Sequence, residues 1–122
     1  MARELLAGRR MVQAFAALAF LFSLADHWTT YVCLRAQVVG WEVTEANPLA
    51  AWLFERFGLA EGLVIDTAIT LAVLAFVVRT PRIARPWKLA ALGVLLATTG
   101  WAVANNLLAV QQLGLSITGA VS

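Results

Sequence analysis

Charged side chains are scarce in this sequence. They make up 13% of its 122 residues, whereas a typical soluble domain has about 25%. Hydrophobic residues make up 61%, against about 45–50% in such a domain. A single domain of this length cannot bury so large an apolar excess in its own core. The sequence therefore predicts an integral membrane protein that has the lipid bilayer as a partner.

Nucleic-acid-binding patterns and paired cysteines are also absent. The sequence has no Lys/Arg-rich block and no basic stripe interleaved with aromatic residues, so it gives no support for nucleic-acid binding. Cys33 is alone, which excludes an intrachain disulfide and a thiolate metal cluster. We expect Cys33 to be packed near a helix end rather than to take part in redox chemistry.

What the sequence has instead is long apolar stretches. About 20 helical residues at 1.5 Å each cross a hydrocarbon core of about 30 Å. Three stretches have this length, at about residues 11–32, 60–78 and 87–108. They predict an all-α, helical integral membrane protein with three transmembrane helices in one membrane domain, residues 1–122. A cleaved signal peptide is the rival interpretation of the first stretch, because Ser23-Leu24-Ala25 resembles a cleavage site. Two further spans downstream favour a retained helix.

A fourth helix, too short to span, is predicted between the first two spans. Asn47-Pro48 is a typical helix start, with Asn as the N-cap and Pro at the first helical position. Gly58 is a typical helix end. The apolar residues between them fall on one side of the helix. Residues 48–57 are therefore predicted to lie as a helix at the membrane interface.

The basic residues are concentrated in two segments. Seven of the nine Lys and Arg residues lie there: Arg3, Arg9 and Arg10 near the N-terminus, and Arg79, Arg82, Arg85 and Lys88 before the third span. With three spans, both segments fall on the same side of the membrane, and the positive-inside rule makes that side cytoplasmic. We therefore predict a protein of the cell (inner) membrane with a cytoplasmic N-terminus and a C-terminus on the outer, periplasmic side.

The first span ends in a polar cluster. Asp26, Thr29 and Thr30, at i, i+3 and i+4, share one helix face, while His27 points about 100° away from Asp26. A carboxylate costs about 2.5–3.5 kcal/mol near the membrane centre and less away from it, so it needs polar partners. Such an ionisable residue indicates a functional site by default. The alternative is that Asp26 is protonated and, with the threonines, only joins helices through hydrogen bonds.

Polar residues of the other two spans are predicted at a similar depth. If the first span begins at Met11, Asp26 lies about 8 Å below the outer boundary of the hydrocarbon core. The same rise per residue puts Asp66 about 9 Å and Asn105 about 6 Å below that boundary. Asp66 and Thr70 share a helix face. Two carboxylates close together are expected to share a proton or to bind a cation.

The candidate ligand-binding residues come from all three spans and from the loop before the short helix. They are Asp26, Thr29, Thr30, Glu45, Asn47, Asp66, Thr70 and Asn105. Asp26, His27 and Asp66 are the candidate metal ligands, and His27 is also a candidate proton carrier. The sequence assigns no catalytic residue and no cofactor.

Two ordered motifs carry a resemblance to a known family. Asp26-x-x-Thr29-Thr30 late in the first span, followed by Glu45-x-Asn47-Pro48, resembles a family of small bacterial and archaeal membrane proteins classed as a domain of unknown function. The resemblance covers roughly residues 15–110. It implies a small multi-pass helical protein, and it brings no established activity with it.

Three classes of function fit these features. The first is a non-enzymatic protein, either an accessory subunit or a binder of a cation, lipid or small molecule through an outer-leaflet polar site around Asp26. The second is a membrane-embedded hydrolase or metalloenzyme that uses Asp26, Asp66, Glu45 and His27. The third is a proton-coupled small transporter. A transporter would need to be a homo-oligomer or part of a larger membrane complex, since three spans enclose little.

Overall fold

Four α-helices and no β-strand make up the part of the chain that the computed structural model describes, which is residues 2–36, 45 and 47–118. In chain order they are α1 (Ala2–Arg35), α2 (Pro48–Phe57), α3 (Leu59–Arg79) and α4 (Arg85–Gln112). Helices α1, α3 and α4 are long and apolar enough to cross a membrane. The predicted all-α fold is therefore confirmed, and so is the presence of three helices that could span a membrane. The C-terminus, for which an outer location is predicted, lies outside the described residues.

Helix α1 is longer than the predicted span. It begins at Ala2 rather than near Met11, because the residues before Met11 are mostly good helix formers and Glu4 lies in the first turn, where it complements the helix dipole. Its 34 residues correspond to about 51 Å at 1.5 Å per residue. This length exceeds a hydrocarbon core of about 30 Å, so α1 either tilts or extends beyond it.

Helix α1 is also the central element, because it packs against both α3 and α4. Its buried residues recur at intervals of mostly three or four positions: Gly8, Val12, Ala16, Ala19, Ser23, Thr29, Val32 and Cys33. Most of these side chains are small, which lets neighbouring helices approach closely. Asp26 and Thr30 continue the spacing three and seven residues after Ser23. The two side chains therefore face the other helices rather than the lipid.

Two apolar clusters lie on either side of this polar stretch of α1. One contains Val12, Ala16, Ala19, Leu74 and Leu92. The other contains Val32, Cys33, Val110, Leu113 and Leu115. The polar side chains from Asp26 to Thr30 lie between the two clusters, so the helices that surround them are held together on both sides.

Helix α2 begins as predicted. The Asn47 side chain accepts hydrogen bonds from the backbone N–H groups of Leu49 and Ala50, at 3.0 and 3.4 Å. Gly58, with φ of 93°, joins α2 to α3, and α2 packs against α3. The start of α2 is thereby fixed beside α3, and Glu45 and Asn47 are brought to the polar stretch.

The N-terminal part of α1 and the junction between α3 and α4 meet at one end of the bundle. There the Arg85 guanidinium occupies the space in which a side chain on Gly8 would stand. Lys88 Nζ donates a hydrogen bond to the carbonyl of Val78 in the last turn of α3, at 3.0 Å. We call this end the basic end.

Candidate functional site

Asn106 of α4 binds the polar face of α1. Its side-chain nitrogen lies 3.0 Å from Asp26 Oδ1, 3.0 Å from Thr29 Oγ1 and 3.1 Å from Thr30 Oγ1. The Thr29 hydroxyl donates its own hydrogen to backbone carbonyls of α1, to Ala25 at 2.9 Å, so its oxygen is left to accept from Asn106. One amide therefore links α4 to all three residues of the Asp-x-x-Thr-Thr motif.

The two carboxylate oxygens of Asp26 have different environments. Oδ1 accepts from Asn106 and, at 3.5 Å, from the Thr30 hydroxyl. Oδ2 has no hydrogen-bond partner among the described residues, and none of their buried side-chain oxygens lacks a partner. Asp26 thus lines the cavity described below with one oxygen that makes no hydrogen bond to a described residue.

His27 makes its contacts with α3 instead. Its Nδ1 lies 2.8 Å from Thr67 Oγ1, and its Nε2 lies 3.3 Å from Asp66 Oδ2. The side chains of His27 and Asp66 are only 14% and 21% exposed. His27 Nε2 therefore contacts the carboxylate of Asp66 and not that of Asp26.

The hydrogen bonds of Thr67 indicate the role of one ring nitrogen of His27. The Thr67 hydroxyl donates its single hydrogen to the carbonyl of Leu63, at 2.8 Å, so Thr67 Oγ1 must accept from His27 Nδ1. The other ring nitrogen, Nε2, then faces the Asp66 carboxylate, so the His27 ring of α1 contacts two residues of α3.

These groups line one cavity of about 500 Å³, which we call the acidic cavity. Its polar lining residues are Asp26, His27, Thr30, Glu45, Asn47, Asp66, Thr98, Thr99, Asn105 and Asn106. Three of them are carboxylates, and no Lys or Arg is found among the described residues of the lining. With three carboxylates and one histidine, the lining has an excess of acidic side chains.

The remaining wall is rich in hydrogen-bond acceptors. The hydroxyls of Thr98 and Thr99 donate to the backbone carbonyl of Leu95, at 3.0 and 2.7 Å, so each offers the cavity an oxygen as acceptor only. Glu45 Oε1 accepts from the backbone N–H of Asn47 at 2.9 Å, which orients this carboxylate at the start of α2. The wall therefore suits a ligand that carries donors.

Six of the eight candidate residues from the sequence line the acidic cavity: Asp26, Thr30, Glu45, Asn47, Asp66 and Asn105. The other two do not. Thr29 is 3% exposed and accepts from Asn106, and Thr70 donates to the backbone carbonyl of Asp66 at 2.9 Å. Among the described residues, no three or more of His, Cys, Asp and Glu lie close enough together to hold a metal ion. Metal binding by Asp26, His27 and Asp66 stays a prediction.

Sequence reasoning missed Asn106 and gave His27 too little weight. Depth in the membrane predicts Asn105, but its neighbour Asn106 makes the contact with Asp26. The spacing of seven from Thr99 to Asn106 puts these two residues on one helix face and could have identified Asn106. His27 does point away from the Asp26 face, and it reaches the same cavity because that side of α1 meets α3.

Comparison with known proteins identifies the family without giving an activity. No curated protein matches the chain, and no solved structure matches it. The model of one protein family matches residues 17–112, which include α2, α3, α4 and the second half of α1. The chain therefore belongs to the family defined by a domain of unknown function, DUF5658.

Proposed function

We propose that this protein is a non-enzymatic membrane protein, a binding protein or accessory subunit, that holds a positively charged organic group in the acidic cavity. The observation that carries this proposal is the state of Asp26. Oδ1 is fixed by Asn106 at 3.0 Å, and Oδ2, on a residue of the cavity wall, makes no hydrogen bond to another described residue. An ammonium group has only donors to offer, and it matches a wall of carboxylate and hydroxyl acceptors.

The size and the aromatic lining favour an organic cation over a bare ion. Pockets that hold small molecules are about 300–1,000 Å³, and the acidic cavity is about 500 Å³. Phe54 and Trp101 line it together with the carboxylates, and aromatic faces attract alkylated ammonium groups. The ligand class is therefore an amine, either a small molecule or the headgroup of a lipid.

We propose the cell (inner) membrane as the location, with the basic end in the cytoplasm and the acidic cavity in the outer leaflet. Seven of the nine basic residues lie in the N-terminal segment and in the segment before α4. Those segments meet at the basic end, as the contact between Arg85 and Gly8 indicates. Arg35 and Arg56 lie in the last turns of α1 and α2, away from the basic end. This distribution supports the orientation through the positive-inside rule.

Proton-coupled movement of the ligand is a second candidate function. The observation that favours it is the contact between two ionisable groups, His27 Nε2 and Asp66 Oδ2, which are 3.3 Å apart in the wall that also holds Asp26. A cation in the cavity would compete electrostatically with the imidazolium form of His27. Such a transporter would work as a homo-oligomer or within a larger membrane complex.

Binding of simple amines tests the proposal. Purified protein in a neutral detergent is titrated with choline and with ethylammonium, and with propionate as the anionic comparison. A ligand that binds only the folded state raises the melting temperature as its concentration passes Kd. We expect both cations to raise it and propionate to leave it unchanged.

Two variants locate the binding. Asp26→Asn keeps an acceptor for Asn106 but replaces Oδ2 by an amide nitrogen, so we expect a melting temperature close to wild type without ligand and no rise with choline. Glu61→Gln removes a carboxylate from the first turn of α3 that does not line the cavity, and it should respond as wild type. A choline response that persists in Asp26→Asn, or a wild-type protein that responds to neither cation, would contradict the proposal.

A further inference from the structure

A second cavity lies at the basic end and plays no part in the proposed function. It is about 490 Å³, and we call it the basic pocket. Each spanning helix contributes at least one cation to it: Arg9 from α1, Arg79 from α3, and Arg85 and Lys88 from α4. Its described lining contains no carboxylate.

No carboxylate of the described residues lies within ion-pair distance of these four cations. The one contact of this kind in the described part of the chain is that of His27 with Asp66, which lies at the other cavity. Four like charges around one space repel each other, and an anion bound between them would remove this repulsion. The basic pocket therefore has an excess of positive charge that a bound anion would offset.

Two of the cations are fixed in position, as a binding site requires. The Arg85 guanidinium lies against the backbone of Gly8, where any larger side chain would overlap it. Lys88 Nζ uses one of its three hydrogens for the carbonyl of Val78, at 3.0 Å, and two remain. Both side chains are half-buried, whereas Arg82 in the same segment is exposed and does not line the pocket.

An apolar groove continues from the basic pocket between α1 and α3. It is about 390 Å³ and shares Gln13, Val78 and Arg79 with the pocket. Its other lining residues are Ala16, Ala17, Phe20, Leu71, Leu74 and Ala75, all apolar. We call it the chain groove, since it leads from the cations along the two spanning helices towards the middle of the membrane.

We propose that the basic pocket and the chain groove together bind one anionic phospholipid. The phosphate occupies the basic pocket between Arg85 and Lys88, and an acyl chain lies in the chain groove. Guanidinium and ammonium groups are the usual partners of phosphate, and basic pockets between spanning helices bind anionic headgroups. Free phosphate would satisfy the cations, but it would leave the adjoining groove without an occupant.

Native mass spectrometry of the detergent-solubilised protein measures this binding. The protein is offered dioleoylphosphatidylglycerol or dioleoylphosphatidylcholine, and the bound fraction is read for each. We expect one phosphatidylglycerol to bind in preference to phosphatidylcholine. Arg85→Gln and Lys88→Gln should each weaken the binding about fivefold, which corresponds to about 1 kcal/mol per basic residue near anionic lipid.

Arg82→Gln is the matched control, because it removes the same charge from the same segment outside the pocket. It should change the affinity less than twofold. Gly8→Val keeps every charge and displaces only the Arg85 guanidinium, so it should weaken binding as Arg85→Gln does. Equal losses in Arg82→Gln and Arg85→Gln would show general surface attraction and overturn the proposal. Unchanged binding in Gly8→Val, with the helical circular dichroism intact, would overturn it as well.

Two further measurements decide between the lipid and free phosphate. Ala75→Phe fills the chain groove and should reduce lipid binding, whereas Ala72→Phe, on the same helix outside the groove, should not. Inorganic phosphate at equal concentration should not displace the lipid. If Ala75→Phe leaves lipid binding unchanged, the acyl chain does not lie in the chain groove and the proposal fails. If inorganic phosphate displaces the lipid, the site is one for free phosphate and the lipid assignment fails.

Discussion

One carboxylate oxygen of Asp26 joins two helices, and the other makes no hydrogen bond to a described residue. Oδ1 joins α1 to α4 through Asn106, while Oδ2 has no partner among the described residues. The alternative of a purely structural Asp26 explains the first atom and not the second. Asp26→Ala would remove both, and it would leave the Asn106 amide short of one acceptor at a cost of about 1–3 kcal/mol.

A comparison of Thr67 with Thr70 distinguishes the contribution of the His27 contact from that of hydrogen bonds within α3. Both hydroxyls donate to the carbonyl four residues earlier, at 2.8 and 2.9 Å, but only Thr67 also contacts His27. We expect Thr67→Val to lower the free energy of unfolding by about 1 kcal/mol, as a lost interhelical hydrogen bond in a membrane protein does. Thr70→Val should be close to neutral. Unfolding in mixed detergent micelles measures both, and equal effects would mean that the His27 contact contributes nothing.

The polar face of α1 could be predicted from the sequence, but the partner of each side chain could not. Asp26 and Thr30 share a face by helix geometry alone. Asn105 and Asn106 differ in depth by about 1.5 Å, but their side chains point about 100° apart around the helix. Because α4 is apolar over most of its length, its sequence gives little indication of which side faces α1. His27 and Asp26 point in directions that also differ by about 100°. Both side chains contact a neighbouring helix, because α1 packs against α4 on the Asp26 side and against α3 on the His27 side.

At the scale of the elements, the ends of α2 were the most predictable part and the ends of α1 the least. Asn47 caps α2 through local hydrogen bonds of its own side chain, so the sequence contains the whole signal. The extension of α1 to Ala2 follows from the helix propensity of the residues before the apolar stretch. A prediction based on hydropathy finds only the apolar stretch itself. The position of α2 against α3 depends on Gly62, where a side chain would meet the backbone of Leu53.

Gly62→Leu should displace α2 and open the acidic cavity. A Cβ on Gly62 would lie 2.8 Å from Phe54 Cδ1 and 3.1 Å from the Leu53 carbonyl oxygen, so the Phe54 ring and the backbone of α2 would have to give way, and the rest of a Leu side chain needs more room still. Because the cavity includes residues of α2 and of the loop before it, we expect the rise in melting temperature with choline to disappear. Gly93→Leu in α4, where nothing lies within 4 Å of an added Cβ, should keep it. Loss of the rise in both variants would show a general sensitivity to larger residues.

At the scale of the whole molecule, the charges are separated along the bundle. The acidic cavity lies beside the polar end of α1, and the basic pocket lies at its N-terminal part. This asymmetry could be predicted from the sequence, because it follows from the order of charged residues along three spans. The cavities themselves could not, since they depend on how closely α1 packs against its neighbours.

Labelling from outside intact cells tests the proposed orientation. In a Cys33→Ala background, a membrane-impermeant maleimide should react with a cysteine at position 45 and not with one at position 82. The two positions flank opposite ends of the bundle, so each serves as the control for the other. Reaction at position 82 alone would invert the orientation and place the acidic cavity on the cytoplasmic side.

Binding of a cation beside Asp26 is tested most directly by nuclear magnetic resonance of the Asn106 side-chain amide. Its nitrogen lies 3.0 Å from Asp26 Oδ1, so a cation at Oδ2 changes its surroundings. During a titration with choline, the Asn106 amide signals should shift in wild type and remain unchanged in Asp26→Asn. The Gln13 amide, which lines the basic pocket, should not move in either protein. Choline binding that leaves the Asn106 signals of wild type unchanged would show that the ligand binds elsewhere.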